Sequence, residues 1–306
     1  MTSKRAVIFD TDWWTDCDDC VALKLLLNSE EVELKGININ AFMEISPYSV
    51  EMFLSQYGRG NIPVSVDKNA LDYPDVPVNS YQKKIIDTFS KGEYKSADNY
   101  ETSVKFYRRL LSSLDEKADI IAVGFQNSIA DLLMSEGDEF SPLNGIELCR
   151  EKVGKLWAMA GRWDKDGSKE YNVANTARSV KSAKIVSENF PCPITYLGFE
   201  VGESVITGGT EAIGDENDAL AIAMRAHCSE KGRNSWDPMT ALLAAIGDEE
   251  KAGYETVYGR IIFDDKGRNY FSPDSTSDRC YVTKKYDDSF YADAINRRIS
   301  VDKIHQ

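Results

Sequence analysis

The chain has 306 residues, 42% of them apolar and 28% charged, and 36 Lys and Arg against 50 Asp and Glu leave a net charge of −14. These proportions exclude an intrinsically disordered polymer, and the length suffices to bury a large core. Phosphate-bearing partners, whether nucleic acid or an anionic membrane, would be repelled, whereas cation binding is permitted wherever carboxylates converge. No apolar run approaches the ~20 residues of a membrane-spanning helix. The opening Met1-Thr2-Ser3-Lys4-Arg5 runs straight into a strand pattern and lacks the apolar stretch of a signal peptide. Six cysteines are too sparse for a disulfide framework. Cys17-x-x-Cys20 has no second pair to complete a zinc site, so the expectation is a cytoplasmic protein with reduced thiols.

In chain order, residues 6–9 read as a buried strand and 21–27 as a helix with apolar positions at 21, 22, 25 and 26. A strand over 32–40, a helix over 48–57 and a short strand over 62–66 follow. An amphipathic helix is predicted over 104–114, a strand over 120–123 and a helix over 127–134. Extended segments at 156–160 and 194–197 flank a helix over 176–189. Two further helices are predicted over 218–228 and 238–246, and the segment from 257 onward has strand character and a charged tail. Residues 67–79, 137–144 and 161–169 read as loops inserted in one domain spanning 1–306. Such alternation predicts an α/β protein, a mostly parallel mixed sheet with helices on both faces.

The most informative stretch is Asp10-Thr11-Asp12-Trp13-Trp14-Thr15-Asp16-Cys17-Asp18-Asp19, five Asp in ten residues between a buried strand and a helix start. In an open α/β sheet that junction lies at the carboxyl edge, where ligands bind. Carboxylates so close raise each other's pKa, and a bound cation is the simplest way to keep them ionised. Oxygen-only ligands suit a hard ion, Ca²⁺ or Mg²⁺. Helix capping explains Asp18 and Asp19 but not Asp10 and Asp12. An EF-hand loop from Asp10 fails, because Thr15 and Val21 stand where Gly and Glu are required. The haloacid-dehalogenase phosphatase signature, Asp-x-Asp-x-Thr, begins correctly but has Trp14 at the Thr position. It remains an alternative, with Mg²⁺ and an aspartyl-phosphate on Asp10.

With these features the sequence resembles the nucleoside hydrolase family of inosine–uridine type, in a branch with a longer first loop. Gly36 to Asn40, the run Tyr57-Gly58-Arg59-Gly60-Asn61-Ile62-Pro63-Val64, the turn Gly124-Phe125-Gln126-Asn127-Ser128-Ile129-Ala130, Met159-Ala160-Gly161, Glu170-Tyr171-Asn172 and Ser235-Trp236-Asp237-Pro238 resemble the family's motifs in order. The resemblance implies a Rossmann-like nucleoside hydrolase fold and Ca²⁺-dependent hydrolysis of ribonucleosides to base and ribose. Asp12, Asp19 and Asp237 would hold the ion through their side chains and Asn127 through its backbone carbonyl. Asp12 would also be general base on a water bound to the ion. Asp18 would bind ribose hydroxyls, Glu170 and Asn172 the 5′ end of the sugar, and Asn40 is a further sugar contact. Homodimers or homotetramers are usual in the family, so a homo-oligomer is expected. The chemistry agrees, because glycoside cleavage develops positive charge on the sugar, which carboxylates stabilise.

Two departures stand out. Trp236 precedes Asp237 where base-protonating members have His, and Trp13-Trp14 replaces Pro-Gly. Both histidines, His227 and His305, read as surface residues. Trp13, Trp14 and Trp236 are therefore the candidates to stack on the departing base, and because two adjacent Trp cannot both face one core from a loop, at least one of Trp13 and Trp14 is expected to line the pocket. A riboside-binding protein that keeps the cation site without turnover is the other alternative.

Overall fold

The computed structural model describes residues 4–70 and 80–300. The strands, in chain order, are β1 (Arg5–Thr11), β2 (Val32–Ile39), β3 (Val64–Val66), β4 (Glu101–Thr102), β5 (Ala118–Ala122), β6 (Val153–Met159), β7 (Ser168–Lys169), β8 (Ile194–Leu197), β9 (Ile206–Thr207), β10 (Arg233–Asn234), β11 (Tyr254–Phe263), β12 (Arg268–Pro273) and β13 (Arg279–Lys284). Eleven of them form one sheet in the order β4-β3-β2-β1-β5-β6-β8-β13-β11-β12-β7. The pairings from β4 across to β13 are parallel, and β11, β12 and β7 add an antiparallel edge. β9 and β10 form a separate two-stranded ribbon.

Residues 6–11 of β1 are buried on both sides, as expected of a strand covered by helices on both faces. One apolar cluster packs Val7 and Phe9 against Val21, Leu25 and Leu243. The other packs Ala6 and Ile8 against Phe106, Ile129 and Leu148. From β1 the chain winds outward through β2, β3 and β4, then crosses back to β5 and winds the opposite way. The strand order reverses between β1 and β5, so loops diverge there and leave a crevice at the carboxyl ends.

Helices outside the sequence expectation occupy Tyr81–Phe89, Gly145–Lys152 and Asp288–Ile299. The last corrects the charged tail expected after 257. Its apolar spacing is helical rather than extended, with Tyr291, Ile295 and Ile299 four residues apart and buried on one face. The expected surface placement of His305, and most of the 67–79 loop, lie outside the described residues. Among the described residues no helix is long and apolar enough to cross a membrane.

Candidate active site

At the switch point lies a cavity of about 330 Å³, lined among others by Asp12, Asp16, Asp18, Asp19, Glu170, Asn172, Arg233, Trp236 and Asp237. β1 ends at Thr11, and the chain then turns back so that helix Asp18–Asn28 starts beneath the strand end. The N-cap of that helix is Cys17, with no side-chain cap. Asp18 and Asp19 are thus free to point elsewhere. Asp18 Oδ2 accepts the Asp237 amide at 3.1 Å, and Asp19 accepts from the Thr11 hydroxyl and, at 3.1 Å, from the Trp13 amide. The first loop and the start of helix Trp236–Ile246, far apart in the chain, are thereby joined.

Carboxylate oxygens of Asp18, Asp19 and Asp237 lie within 4.8 Å of one another, and all three residues are buried. Asp12 stands outside this tight trio but lines the same cavity and is partly open to it. Burial, with repulsion among the group, pushes Asp12, Asp18 and Asp237 well above the ordinary carboxylate range. Burial also raises Asp19 to about 6, held back by its bonds from Thr11 and Trp13. Asp16, Cys17 and His227 also come within 4.8 Å. There, however, Asp16 is forked to Arg233, and the ring nitrogens of His227 contact Ser229 Oγ and Thr15 O.

Asp10 has another role. It is fully buried, and its oxygens accept from Asn38 at 2.8 Å, from Tyr107 at 2.5 Å and from Asn40. Burial raises it to about 7. Enclosed in this way, it cannot act as a phosphatase nucleophile, which corrects that alternative. Asn40 does not line the cavity either. Its amide group donates to Asp10 and accepts the Phe125 amide at 2.9 Å, and its carbonyl accepts from Asn127 Nδ2 at 3.2 Å. Asn40 thus fixes the 124–127 turn, and Asn127, at the start of helix Asn127–Leu133, is buried beside it.

Glu170 and Asn172 also line the cavity. Glu170 accepts the Asn172 amide at 2.8 Å and the Gly161 amide at 3.2 Å, and burial lifts it to about 7. The Asn172 side chain donates to Val123 O at 3.2 Å. Between them Tyr171 is exposed at the rim and stacks on Trp14 with centroids 6.4 Å apart.

The tryptophans divide differently from the expectation. Trp236 lines the cavity; its ring stacks on Phe199 at 5.1 Å and its Nε1 donates to Phe199 O at 2.9 Å. Trp13 is wholly buried against Phe53 and Tyr81, with Nε1 bonded to Ser49 Oγ at 2.7 Å. Trp14 is buried in a separate cluster with Ala41, Ala70 and Phe125. Neither lines the cavity. Two adjacent rings can both be core residues because two cores meet at this loop. The turn requires φ of 43° at Trp13, a left-handed conformation uncommon for a bulky residue. Its carbonyl accepts from Gln82 Nε2 at 2.8 Å and from Ser46 Oγ at 3.2 Å, which holds the turn in place. His227, read as a surface residue, is instead half-buried under Thr15. Arg233, Tyr171 and Phe199 were missed as wall residues. The only signal for Arg233 was a basic residue three places before the Trp236-Asp237 pair.

Gly124 packs against Asp12. A Cβ there would sit 2.6 Å from the Asp12 amide and 2.7 Å from Asn40 Oδ1. Gly124→Ala is expected to displace Asp12 from its place at the cavity, which a solved structure of the variant beside a circular-dichroism spectrum would check, with the spectrum expected to stay that of wild type.

No protein-family model and no curated protein sequence matches the chain. Solved structures do, and the class they define is the nucleoside hydrolase fold. A plant nucleoside hydrolase superposes with a TM-score of 0.72 at 16% identity, covering 98% of this chain and 100% of its own. The inosine–uridine preferring nucleoside hydrolase of Bacillus anthracis gives 0.71 at 18%, covering 96% and 99%. The purine-preferring ribonucleoside hydrolase of Gardnerella vaginalis gives 0.69 at 18%, covering 96% and 98%. The chain therefore has the nucleoside hydrolase fold over nearly its whole length.

Proposed function

We propose that the protein is a Ca²⁺-dependent N-ribohydrolase that cleaves the N-glycosidic bond of ribonucleosides to free base and ribose. The observation that carries this reading is the meeting of Asp18, Asp19 and Asp237, with Asp12 beside them, on the floor of a cavity walled by Glu170, Asn172 and aromatic rings. The fold shared with proteins described as nucleoside hydrolases supports it.

The donor set suits a hard divalent cation, since it offers buried carboxylate oxygens and no competing nitrogen or sulfur in the trio. Three such groups cannot all ionise unneutralised without a large desolvation cost. Asp19 and Asp237 would hold the ion with Asp12 and the Asn127 carbonyl. When bound, the ion supplies charge neutralisation and Lewis acidity toward sugar hydroxyls and water.

In this reading Asp12, open to the cavity, takes the proton of the attacking water. Asp18 accepts a hydrogen bond from a ribose hydroxyl. Glu170 and Asn172 grip the 5′ end of the sugar. As the C–N bond lengthens, positive charge spreads over C1′ and the ring oxygen. The surrounding carboxylates are already oriented, so they stabilise that charge without reorganisation.

A riboside-binding protein without turnover is the second reading, favoured by Trp236, which is tied to Phe199 and has no transferable proton for a base. Reducing-sugar release from a panel of nucleosides, with and without chelator, separates the two. Release that chelator abolishes is the expected result. Binding without release would establish the second reading instead.

A further inference from the structure

We propose that Arg233 stabilises the departing aglycone, serving as the leaving-group residue of a site with no histidine among its described lining residues. This deepens the riboside reading and rests on it. Six carboxylates line the cavity, and Arg233 is its one cation among the described lining residues. The carboxylates of the trio gather at the Asp237 end, where the sugar would sit. Arg233 is three residues away from Trp236 on β10, with its guanidinium carbon 5.6 Å from that ring's centroid. Arg233 thus shares one cavity with these carboxylates, standing beside the Trp236 ring, paired with Asp16 and within electrostatic reach of Asp18.

The guanidinium is held in place but not fully used. Its Nε and Nη2 fork onto Asp16, with Nη2 to Oδ2 at 2.6 Å and Nε to Oδ1 at 2.9 Å. Nη1 donates to nothing among the described residues, and about a third of the side chain (35%) is exposed. One side of a rigid donor fork thus remains for a ligand. Asp16 orients the group without taking a proton from it, because an arginine in a protein stays charged. The ligand class that fits is an aglycone with a hydrogen-bond acceptor on its edge, such as a carbonyl oxygen or an unprotonated ring nitrogen.

The step balances without an acid on the protein. The C1′–N bond breaks and its electron pair stays on the aglycone nitrogen. Hydroxide equivalent from water goes to C1′, and the water's other proton goes to Asp12. Arg233 shares the charge of the departing anion through Nη1 until solvent protonates it. The Asp12 proton then returns to solvent, so that riboside and water become ribose and neutral base.

The test compares a nucleoside that the protein turns over, inosine or uridine, with p-nitrophenyl β-D-riboside, whose phenolate leaves without help. Wild type, Arg233→Ala and Arg233→Lys are assayed on both. Removing one preorganised donor to a developing anion typically costs about 10²–10³-fold, so kcat/KM for the nucleoside should fall about 10²-fold in Arg233→Ala. The fall on the aryl riboside should be at least about tenfold smaller, because less charge stabilisation is required there. Arg233→Lys, which keeps the charge, should recover part of the nucleoside rate. Both substrates sample the same folded population, so the ratio of the two losses is insensitive to how much of a variant folds. Equal losses on both substrates would overturn the role and leave Arg233 as a brace for Asp16. Hydrolysis of neither substrate by wild type would overturn the riboside reading itself, and the role with it.

Discussion

Asp12→Asn is expected to lower kcat for nucleoside hydrolysis by about 10²–10⁴-fold, the usual worth of a positioned general base, with little change in fold. The amide has nearly the shape of the carboxylate but cannot accept a proton. Asp12 stands at the cavity rather than in the core, so no cavity is created and no apolar contact is lost. A Cβ on Gly124 would come 2.8 Å from the Asp12 Cβ, so the two residues stand close, and the isosteric amide adds no atom on that side. Removing a charge from a mutually repelling group also relieves the strain that raises the neighbouring carboxyls. The folded state should therefore be as stable as wild type or more so without added cation. Single-turnover kinetics and urea denaturation check the two halves. Near wild-type turnover would remove Asp12 from the general-base role. Loss of turnover together with loss of fold would mean that its contribution is structural.

The second large effect concerns pH and cation together. Asp10, Asp19 and Glu170 are lifted by burial to about 7, 6 and 7, and Asp12, Asp18 and Asp237 are lifted well above normal. Each group with a raised pKa holds its proton more tightly folded than unfolded. Its contribution is fully present below the unfolded value of about 4 and is lost as pH rises through the folded value. The chelated protein should thus lose stability steadily from about pH 4 to beyond pH 7. A cation binds the ionised trio, so added Ca²⁺ should raise Tm more at about pH 8 than at about pH 5, where protons compete. At one hundred times its dissociation constant the gain is about 2.7 kcal/mol, or about 4 °C at the ~2.1 cal/mol/K per residue expected of a chain this long. Thermal melts at the two pH values, with Ca²⁺ and with chelator, measure this. An equal rise at both would show that the ion binds away from these carboxylates.

The alternation of apolar strands and amphipathic helices made the parallel sheet legible, because central strands such as β1 and β5 are buried on both faces and read as short apolar runs. The acidic loop was legible because no core needs five Asp in ten residues. That Asp237 joins it could come only from resemblance, since nothing local marks the start of that helix as a ligand. Helix Tyr81–Phe89 was hidden beside a polar loop, although Tyr81, Gln82, Ile85 and Ile86 form its buried face. The tryptophans were misjudged because the sequence argument allowed one core, whereas Trp13 and Trp14 enter two. Asn40 was named a sugar contact only through the family resemblance. Its side chain is spent on Asp10 and Phe125, a commitment that emerges only from tertiary contacts.

The backward twist at Trp13 ties the acidic loop, and with it the proposed chemistry, to the integrity of the interior. The indole is the peg around which the acidic loop is wound, and the peg is seated among Phe53, Tyr81 and Ser49. Loosening that seat by heat or by a remote apolar substitution would let the turn relax to an ordinary conformation and rotate Asp12 away from its partners. Activity should therefore fade at temperatures below the global melt, with the loop acting as an early reporter of softening in the hydrophobic interior.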